Sequence, residues 1–321
     1  MGVRNYKFGY SFYNMFKRSQ LKHNLPLYKK HGIKKTYFSP ISSRDFDGLD
    51  EKLNWLDVED SAKVLPGNPK FEALDQQTKD SIINWSRDGY VILRDHLTSD
   101  EVAEVNQHIQ DLLDSGKVSF RYGNKIMFAI NVSELLWKIG TSSKLKGVLE
   151  LLLGKDMELF QSINFIEASQ QRTHSDSIHM TTFPRGNLAA VWIALEDMSA
   201  ENGALHYYPG SHRLPYLFNK DYDNEGTALK LGPKSYTDYE DEIEKIIEQK
   251  GLKKEVFTAK SGDLLIWHAN LLHGGEPLQD PERTRKSMAL HYYSQGVVCY
   301  HEITQRPALI QPRPDHSKNG Q

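Results

Sequence analysis

Short β-rich segments, separated by turn-forming residues, dominate the second half of the chain and limit its fold more than any other feature. They are LFQSINFI, LAAVWIAL, ALHYYPGSH, DLLIWHANLLHGG and SMALHYY, and all lie after residue 155. Branched and aromatic residues favour strands, while the Gly, Pro, Asn and Asp between them favour turns. Many short strands in one stretch predict a sandwich, a jelly roll or a barrel.

Helical patterns precede this β-rich region. The segment LDQQTKDSIINWSRDG predicts a helix that stops at Gly89, and YVILRD predicts a short strand after it. The segment LTSDEVAEVNQHIQDLLDSG predicts the clearest helix, because Thr98 and Glu101 have the spacing of a capping box. Its expected buried face consists of Val102, Val105, Ile109, Leu112 and Leu113.

The pattern along the chain predicts three regions. Residues 1–70 form a basic, aromatic arm and a linker that includes VLPGNPKF, residues 71–300 form the main domain, and residues 301–321 form a tail. A polar insertion at 213–255 interrupts the strands, and its segment SYTDYEDEIEKIIEQKG predicts a charged helix with Ile243, Ile246 and Ile247 on one side. Such an insertion is either a lid over a substrate or a surface addition.

The arm is strongly basic. The first 44 residues contain ten Lys or Arg and no Asp or Glu, with aromatic residues between them. The arm either docks on an anionic partner, such as a phosphate-bearing substrate, a carrier protein or a membrane surface, or packs its aromatic residues on the main domain with its lysines in solvent. The second interpretation is favoured.

Composition excludes several classes of protein. A formal charge of -2 argues against a nucleic-acid-binding protein. No apolar run reaches the length of a transmembrane segment, and the N-terminus lacks the apolar core of a secretory signal. The single cysteine, Cys299, allows neither an internal disulfide nor a cysteine-based zinc site. A cytoplasmic location is therefore expected.

His174 and Asp176, in THSD, are the first candidate metal ligands. In an extended segment, residues two apart point to the same side, so an imidazole and a carboxylate could bind one ion. A third ligand would come from His268 or His273 in IWHANLLHGG. Two histidines and one carboxylate are the usual ligands of non-haem Fe(II) oxygenases, which leave positions open for a chelating co-substrate and O2.

Arg285 and Ser287, in RKS, are candidates for binding that co-substrate. They also lie two residues apart, and a guanidinium binds a carboxylate through two parallel hydrogen bonds. A site of this kind could hold 2-oxoglutarate, with its C1 carboxylate and keto oxygen on the metal and its C5 carboxylate on Arg285.

The order of these motifs resembles the phytanoyl-CoA dioxygenase family of Fe(II)- and 2-oxoglutarate-dependent oxygenases. The resemblance extends over roughly residues 76 to 295 and depends on DGYVILRDHLTSDEV, on THSD followed by AAVWIALEDMSAENGALHYYPGSH, and on GDLLIWHANLLHGG followed by RKS. It implies a double-stranded β-helix core of the jelly-roll, cupin-like type, with Fe(II), 2-oxoglutarate and O2 as cofactor and co-substrates.

The resemblance also implies roles for single residues. His174 and Asp176 match the proximal ligands, and His273 matches the distal ligand because HGG follows the family pattern. His268 matches a histidine that is not a ligand. Arg285 matches the arginine that binds 2-oxoglutarate, with Arg283 as the alternative on the same strand face. Gln161 resembles a family position near the co-substrate. Trp192 is either a core residue or, as the resemblance implies, a residue near the pocket, and Ser287 remains a supporting contact of the co-substrate.

The expected function is therefore hydroxylation of an unactivated C–H bond in a small molecule, with succinate and CO2 as by-products. Desaturation and ring formation use the same centre in relatives, and the prime substrate is open. The alternatives are a cupin-like metal-dependent isomerase or hydrolase, and a non-catalytic binding module on the same scaffold. Neither alternative needs 2-oxoglutarate.

Overall fold

The structure, a computed structural model, describes residues 6–309 as strands with helices around them. The helices in this range are α1 (Lys7–Phe16), α2 (Arg18–Leu21), α3 (Asn24–His31), α4 (Trp55–Val58), α5 (Ser61–Val64), α6 (Pro69–Glu72), α7 (Gln76–Ile82), α8 (Trp85–Asp88), α9 (Ser99–Asp114), α10 (Glu134–Gly140), α11 (Ser143–Leu153) and α12 (Tyr236–Lys250). The strands are β1 (Tyr90–Leu93), β2 (Phe120–Arg121), β3 (Lys125–Met127), β4 (Met157–Phe165), β5 (Thr181–Phe183), β6 (Leu188–Ala194), β7 (Leu205–Tyr207), β8 (Glu255–Phe257), β9 (Leu264–His268), β10 (His273–Gly275), β11 (Ser287–Ser294), β12 (Val298–His301) and β13 (Arg306–Pro307).

The strands form three antiparallel sheets. A seven-stranded sheet has the order β1-β9-β6-β11-β4-β3-β2, and two three-stranded sheets have the orders β10-β7-β8 and β13-β12-β5. Neighbouring strands within the sheets are therefore often distant in sequence, as in a jelly roll. The predicted mainly β fold with flanking helices, of the cupin-like type, is confirmed.

The large sheet is buried on both faces, and β6 shows how. Val191 and Ile193 belong to a hydrophobic core that also contains residues of α7–α11. Trp192 and Ala194 point the other way, into a second core with Leu205 and residues of β8 and β9. Successive side chains of a strand alternate between faces, so a strand buried on both faces is continuously apolar. The candidate site lies on the second, inner face.

Two helical predictions have different outcomes. The capping box of Thr98 and Glu101 begins α9, whose buried residues include Val102 and Val105, as predicted. The single helix predicted before Gly89 is wrong, because it is divided into α7 and α8. At the break, the Ser61 hydroxyl donates a 2.7 Å hydrogen bond to the Ile83 carbonyl. That carbonyl is thus bound by a side chain from outside the helix.

The N-terminal arm packs only in part. Tyr28 and Ile33 contact a core that also contains Phe183 and Tyr300, which agrees with the favoured interpretation. The phenylalanines of α1 do not agree with this interpretation, since Phe8, Phe12 and Phe16 are exposed. The region boundaries remain predictions, and residues 1–5 of the arm and 310–321 of the tail lie outside the described residues. Between residues 6 and 309, no helix has both the length and the apolar character needed to cross a membrane.

Candidate active site

The backbone brings His174, Asp176 and His273 together. His174 and His273 pair in an antiparallel bridge, with both N–H groups donating 2.9 Å hydrogen bonds to the partner's carbonyl. Asp176 begins a 3-10 turn two residues after His174. All three side chains are buried, and one potential ligand atom from each lies within 4.8 Å of the others. Residues almost 100 positions apart thus form a cluster with the composition of a metal site.

Hydrogen bonds orient these side chains toward a common point. His174 Nδ1 lies 2.8 Å from the Arg172 carbonyl, and His273 Nδ1 lies 2.9 Å from the Leu271 carbonyl. Each Nδ1 therefore donates its proton to the backbone, which leaves each Nε2 with a lone pair that can bind a metal. The lone pair of His174 Nε2 accepts a 3.2 Å hydrogen bond from the Gln171 side-chain amide, which a metal would replace. Trp267 Nε1 donates a 2.8 Å hydrogen bond to Asp176 Oδ2, while Oδ1 lies 3.8 Å from His273 Nε2.

The electrostatics of the cluster suit a cation. Burial, followed by the neighbouring His273, lowers the pKa of His174 well below its usual value, so the imidazole is neutral. Burial alone would raise the pKa of Asp176, but His273, His291, His174 and the Trp267 N–H together hold it below its usual value. Neutral imidazoles and an ionised carboxylate are the protonation states that metal binding requires.

Arg285 packs against the inner core that Trp267 also belongs to, and it has no carboxylate partner in the described residues. It is 2% exposed, and its guanidinium lies 5.4 Å from the Phe165 ring centre and 5.6 Å from that of Trp192. Its Nη2 donates a 3.3 Å hydrogen bond to Ser169 Oγ. Burial lowers the pKa of Arg285 to about 10, so the side chain is still cationic at neutral pH.

Unsatisfied polar atoms surround Arg285. Arg285 Nε, Ser287 Oγ and Trp192 Nε1 are buried and have no hydrogen-bond partner between residues 6 and 309. A buried polar group without a partner costs free energy, so such a group is expected to meet a ligand or water. A buried cation with free donors around it fits a carboxylate, and therefore fits the C5 end of 2-oxoglutarate.

The alternative arginine and the alternative histidine are elsewhere. Arg283 is exposed and forms an ion pair with Glu201. His268 faces the helices, with its Nε2 3.3 Å from Asp57 Oδ1 and its ring against Trp85. The structure thus brings Arg285 and His273, but neither Arg283 nor His268, to the inner-face cluster.

Gln161 lies on β4 directly opposite His291 of β11. In the alternation of β11, His291 shares a face with Ser287 and with Ala289, a residue of the inner core. Gln161 is therefore on the inner face and half-buried, and its side chain forms no hydrogen bond with another described residue that would support a more specific role.

Sequence patterns did not identify several residues near the cluster. His291 of β11 is one of them: its Nε2 lies 3.8 Å from Asp176 Oδ2 and its Nδ1 has no partner within residues 6–309. Lys125 of β3 donates a 3.0 Å hydrogen bond to Gln171 Oε1, and Gln171 Nε2 lies 3.2 Å from His174 Nε2. The sequence signal that could have identified Lys125 is a single polar residue at an inward-facing position of a short strand.

The insertion contributes α12, which packs against residues 172–179, the segment that carries His174 and Asp176. Tyr239 Oη accepts a 3.2 Å hydrogen bond from the Ser175 backbone, and the Tyr236 ring lies 4.7 Å from that of His179. Arg172 binds Asp241 of α12 at 2.7 Å. Burial lowers the pKa of His179 to about 4, so this neighbour of His174 is uncharged at neutral pH. The contacts agree with a covering element rather than a detached surface addition.

Comparison with known proteins identifies relatives of the chain. An ectoine dioxygenase from Sphingopyxis alaskensis is 27% identical over 209 residues, which cover 59% of this chain and 67% of that protein. A phytanoyl-CoA dioxygenase domain-containing protein 1 homolog from Dictyostelium discoideum is 25% identical over 183 residues, which cover 54% of this chain and about half, 53%, of that protein.

Solved structures agree on the fold. EctD from S. alaskensis with 2-oxoglutarate and 5-hydroxyectoine matches with a TM-score of 0.55 and 20% identity, covering 75% of this chain and 84% of EctD. The non-haem α-ketoglutarate-dependent carbocyclase SnoK from nogalamycin biosynthesis matches with a TM-score of 0.57 and 16% identity, covering 73% and 89%. At these identities the likeness establishes the fold alone.

The family itself is established by a different comparison. The sequence model named phytanoyl-CoA dioxygenase (PhyH) matches residues 85–286, which is well over half of the chain. This segment contains β1 through Arg285 and includes every member of the buried cluster. The chain therefore belongs to the phytanoyl-CoA dioxygenase family.

Proposed function

We propose that this protein is an Fe(II)- and 2-oxoglutarate-dependent dioxygenase that hydroxylates an unactivated C–H bond of a small molecule. The observation that carries the proposal is that a buried His-Asp-His cluster and a buried arginine with unsatisfied donors border the same inner core, the cluster through Trp267 and the arginine through Trp192. When bound, Fe(II) with 2-oxoglutarate and O2 supplies the oxidising power for C–H cleavage and releases succinate and CO2.

In this proposal His174, Asp176 and His273 hold the iron. Their ligand atoms are two imidazole nitrogens and one carboxylate oxygen, as in the facial triads of oxygenases. Trp267 keeps Asp176 in place by binding its second oxygen. The backbone carbonyls of Arg172 and Leu271 fix the imidazole tautomers. The residues therefore fit the metal without any rearrangement of their hydrogen bonds to the backbone.

Arg285 binds the C5 carboxylate of 2-oxoglutarate, and Ser287 and Trp192 supply further donors. The support is the lack of hydrogen-bond partners for Ser287 Oγ and Trp192 Nε1 among residues 6–309. Burial of the guanidinium strengthens its attraction for a carboxylate, because the interior screens charge less than water. Gln161 is assigned a weaker contact from its inner-face position.

The prime substrate enters under α12, where Tyr236, His179 and Lys125 lie close to the cluster. These residues offer an aromatic face and hydrogen-bonding groups, which favour a small polar molecule. One relative is named an ectoine dioxygenase, and this name does not identify the substrate of the present protein. A cytoplasmic location is part of the proposal, and the single cysteine supports it.

Anaerobic titration tests the proposal directly. Fe(II) and 2-oxoglutarate are added to the purified metal-free protein, and the visible metal-to-ligand charge-transfer band is recorded. We expect the band only when both are present, and succinate formation when O2 is admitted. A metal-dependent isomerase or hydrolase would turn over without consuming 2-oxoglutarate, and a binding module would form no succinate. Either result would contradict the proposed function.

A further inference from the structure

Helix α1 presents an aromatic face to solvent. Phe8, Phe12 and Phe16 are four residues apart, so they form one stripe along the helix, and their side chains are 63%, 60% and 69% exposed. The rings of Phe12 and Phe16 lie 4.9 Å apart. The buried residue of α1 is instead Asn14, which donates a 3.0 Å hydrogen bond to the Phe38 carbonyl. A helix that exposes a contiguous apolar stripe and buries a polar residue instead indicates a docking surface.

The chain segment that carries this stripe is basic, although Asp45 and Glu225 lie near Lys7 at the start of α1. The first 44 residues contain ten basic and no acidic residues, whereas the remaining 277 contain 30 basic and 42 acidic residues. Lys17, Arg18 and Lys22 lie within the six residues after α1 and form no ion pair with any residue between positions 6 and 309, although Lys35 and Arg44 of the same arm do. These three basic side chains favour an anionic complementary surface.

Two occupants from this protein itself fit poorly. A two-fold contact would place the α1 face of one copy against that of another, and the basic residues would then repel each other. The tail at 310–321, IQPRPDHSKNGQ, contains Ile310 as its single large aliphatic residue. It has too little apolar surface to cover three phenylalanines.

We propose that α1 docks this protein on an anionic phospholipid surface. Interfacial helices lie in the plane of a membrane surface with aromatic side chains among the acyl chains and basic side chains at the head groups. In this protein α1 supplies the aromatic face, and Lys7 with Lys17, Arg18 and Lys22 after the helix supplies the basic side chains. The Lys7 N–H donates a 2.9 Å hydrogen bond to the carbonyl of Leu229, which is itself 69% exposed. The docking helix is thereby attached to the segment that carries α12 over the candidate active site.

Vesicle sedimentation with the full chain tests this surface. The probes are vesicles of phosphatidylcholine and phosphatidylserine in equal amounts, and vesicles of phosphatidylcholine alone. We expect binding to the anionic vesicles and at least roughly tenfold weaker binding to the neutral ones, with the difference shrinking as salt screens the charges. The combined variant Phe8→Ser, Phe12→Ser and Phe16→Ser should bind anionic vesicles roughly a hundredfold more weakly.

Two further variants separate the contributions. Charge reversal by Lys17→Glu, Arg18→Glu and Lys22→Glu should also weaken binding by roughly a hundredfold. Val58→Ser, at a position 67% exposed but remote in sequence from α1, should leave binding unchanged. Circular dichroism confirms that each variant is folded. Absence of binding by the unaltered protein, or full binding by the triple serine variant, overturns the proposal. The proposal is also overturned if the three serine substitutions only convert a dimer to a monomer, because α1 would then be a subunit interface.

Discussion

Trp267 donates its indole N–H to Asp176 Oδ2 at 2.8 Å, and its ring lies 4.6 Å from that of His273. One buried side chain thus contacts two members of the candidate metal site. The hydrogen bond occupies the carboxylate oxygen that faces away from His273 and leaves Oδ1 free. Trp267 is therefore expected to set the orientation of the carboxylate rather than to fill core volume alone.

Trp267→Phe tests this role. The ring keeps most of its packing, but Asp176 loses its N–H donor. Fe(II) affinity should fall by roughly tenfold to a hundredfold, as is usual when a residue that supports a metal ligand is replaced. Metal titration of the purified protein gives the comparison. Trp192→Phe is the matched control, because the Trp192 N–H has no hydrogen-bond partner between residues 6 and 309, and the change should leave Fe(II) affinity unchanged. Equal losses in the two variants would contradict the assignment.

Alanine variants distinguish the two candidate distal histidines. His174→Ala, Asp176→Ala and His273→Ala should each abolish iron binding and turnover. His268→Ala should keep its iron, because that imidazole packs against Trp85 on the opposite face. It should instead destabilise the fold by about 2–4 kcal/mol, which is the usual cost of a large buried truncation. Metal analysis and urea unfolding separate the two effects. Iron loss in His268→Ala with retention in His273→Ala would reverse the assignment.

The sequence predicted the grouping of His174 and Asp176 in the candidate metal site because spacing in an extended segment is informative. His174 and Asp176 are two residues apart, and an extended segment places such residues on one side. Spacing alone does not distinguish His268 from His273 as the third ligand, since both occur in one apolar segment. The alternation that places Trp267 inside and His268 outside becomes visible only when the register of β9 against β6 is known.

Other features depend on contacts that no short pattern records. Lys125 reaches the site because β3 pairs with β4, which lies more than 30 residues further along the chain. The exposure of α1 was also not predictable, since the spacing of Phe8, Phe12 and Phe16 equally fits a helix packed on the main domain. Whether a helical apolar face is buried depends on the presence of a complementary surface elsewhere in the fold.

His212 predicts a pH dependence of stability. It is 6% exposed, its Nδ1 has no partner within residues 6–309, and burial followed by the nearby His268 lowers its pKa to about 3. Between that value and about 6.5, the unfolded chain binds a proton that the native state excludes, so this contribution to stability is lost as pH falls. From about pH 7 to about pH 5 the loss should be about 2 kcal/mol.

Urea unfolding of the unaltered protein and of His212→Gln at both pH values gives the measurement. Other buried histidines add to the total slope, so the informative quantity is the difference between the two proteins. The variant should lose less stability on acidification by about 2 kcal/mol. Identical pH dependence would show that His212 does not titrate in this way.

Arg285 gives the last prediction, which concerns 2-oxoglutarate. Arg285→Lys keeps a cation but loses the planar fork that binds both oxygens of a carboxylate. A hydrogen bond to a charged group contributes about 1.5–3 kcal/mol, so losing about one should raise the KM for 2-oxoglutarate by roughly tenfold to a hundredfold. Iron affinity should hardly change, because Arg285 lies beside the cluster and is not one of its three members. Saturation of succinate formation with 2-oxoglutarate gives the KM.

Arg283→Lys is the matched control, since Arg283 forms a surface ion pair with Glu201, and the KM of this variant for 2-oxoglutarate should stay the same. A large effect at Arg283 with none at Arg285 would reverse the assignment, and no effect at either would remove 2-oxoglutarate from the proposed function.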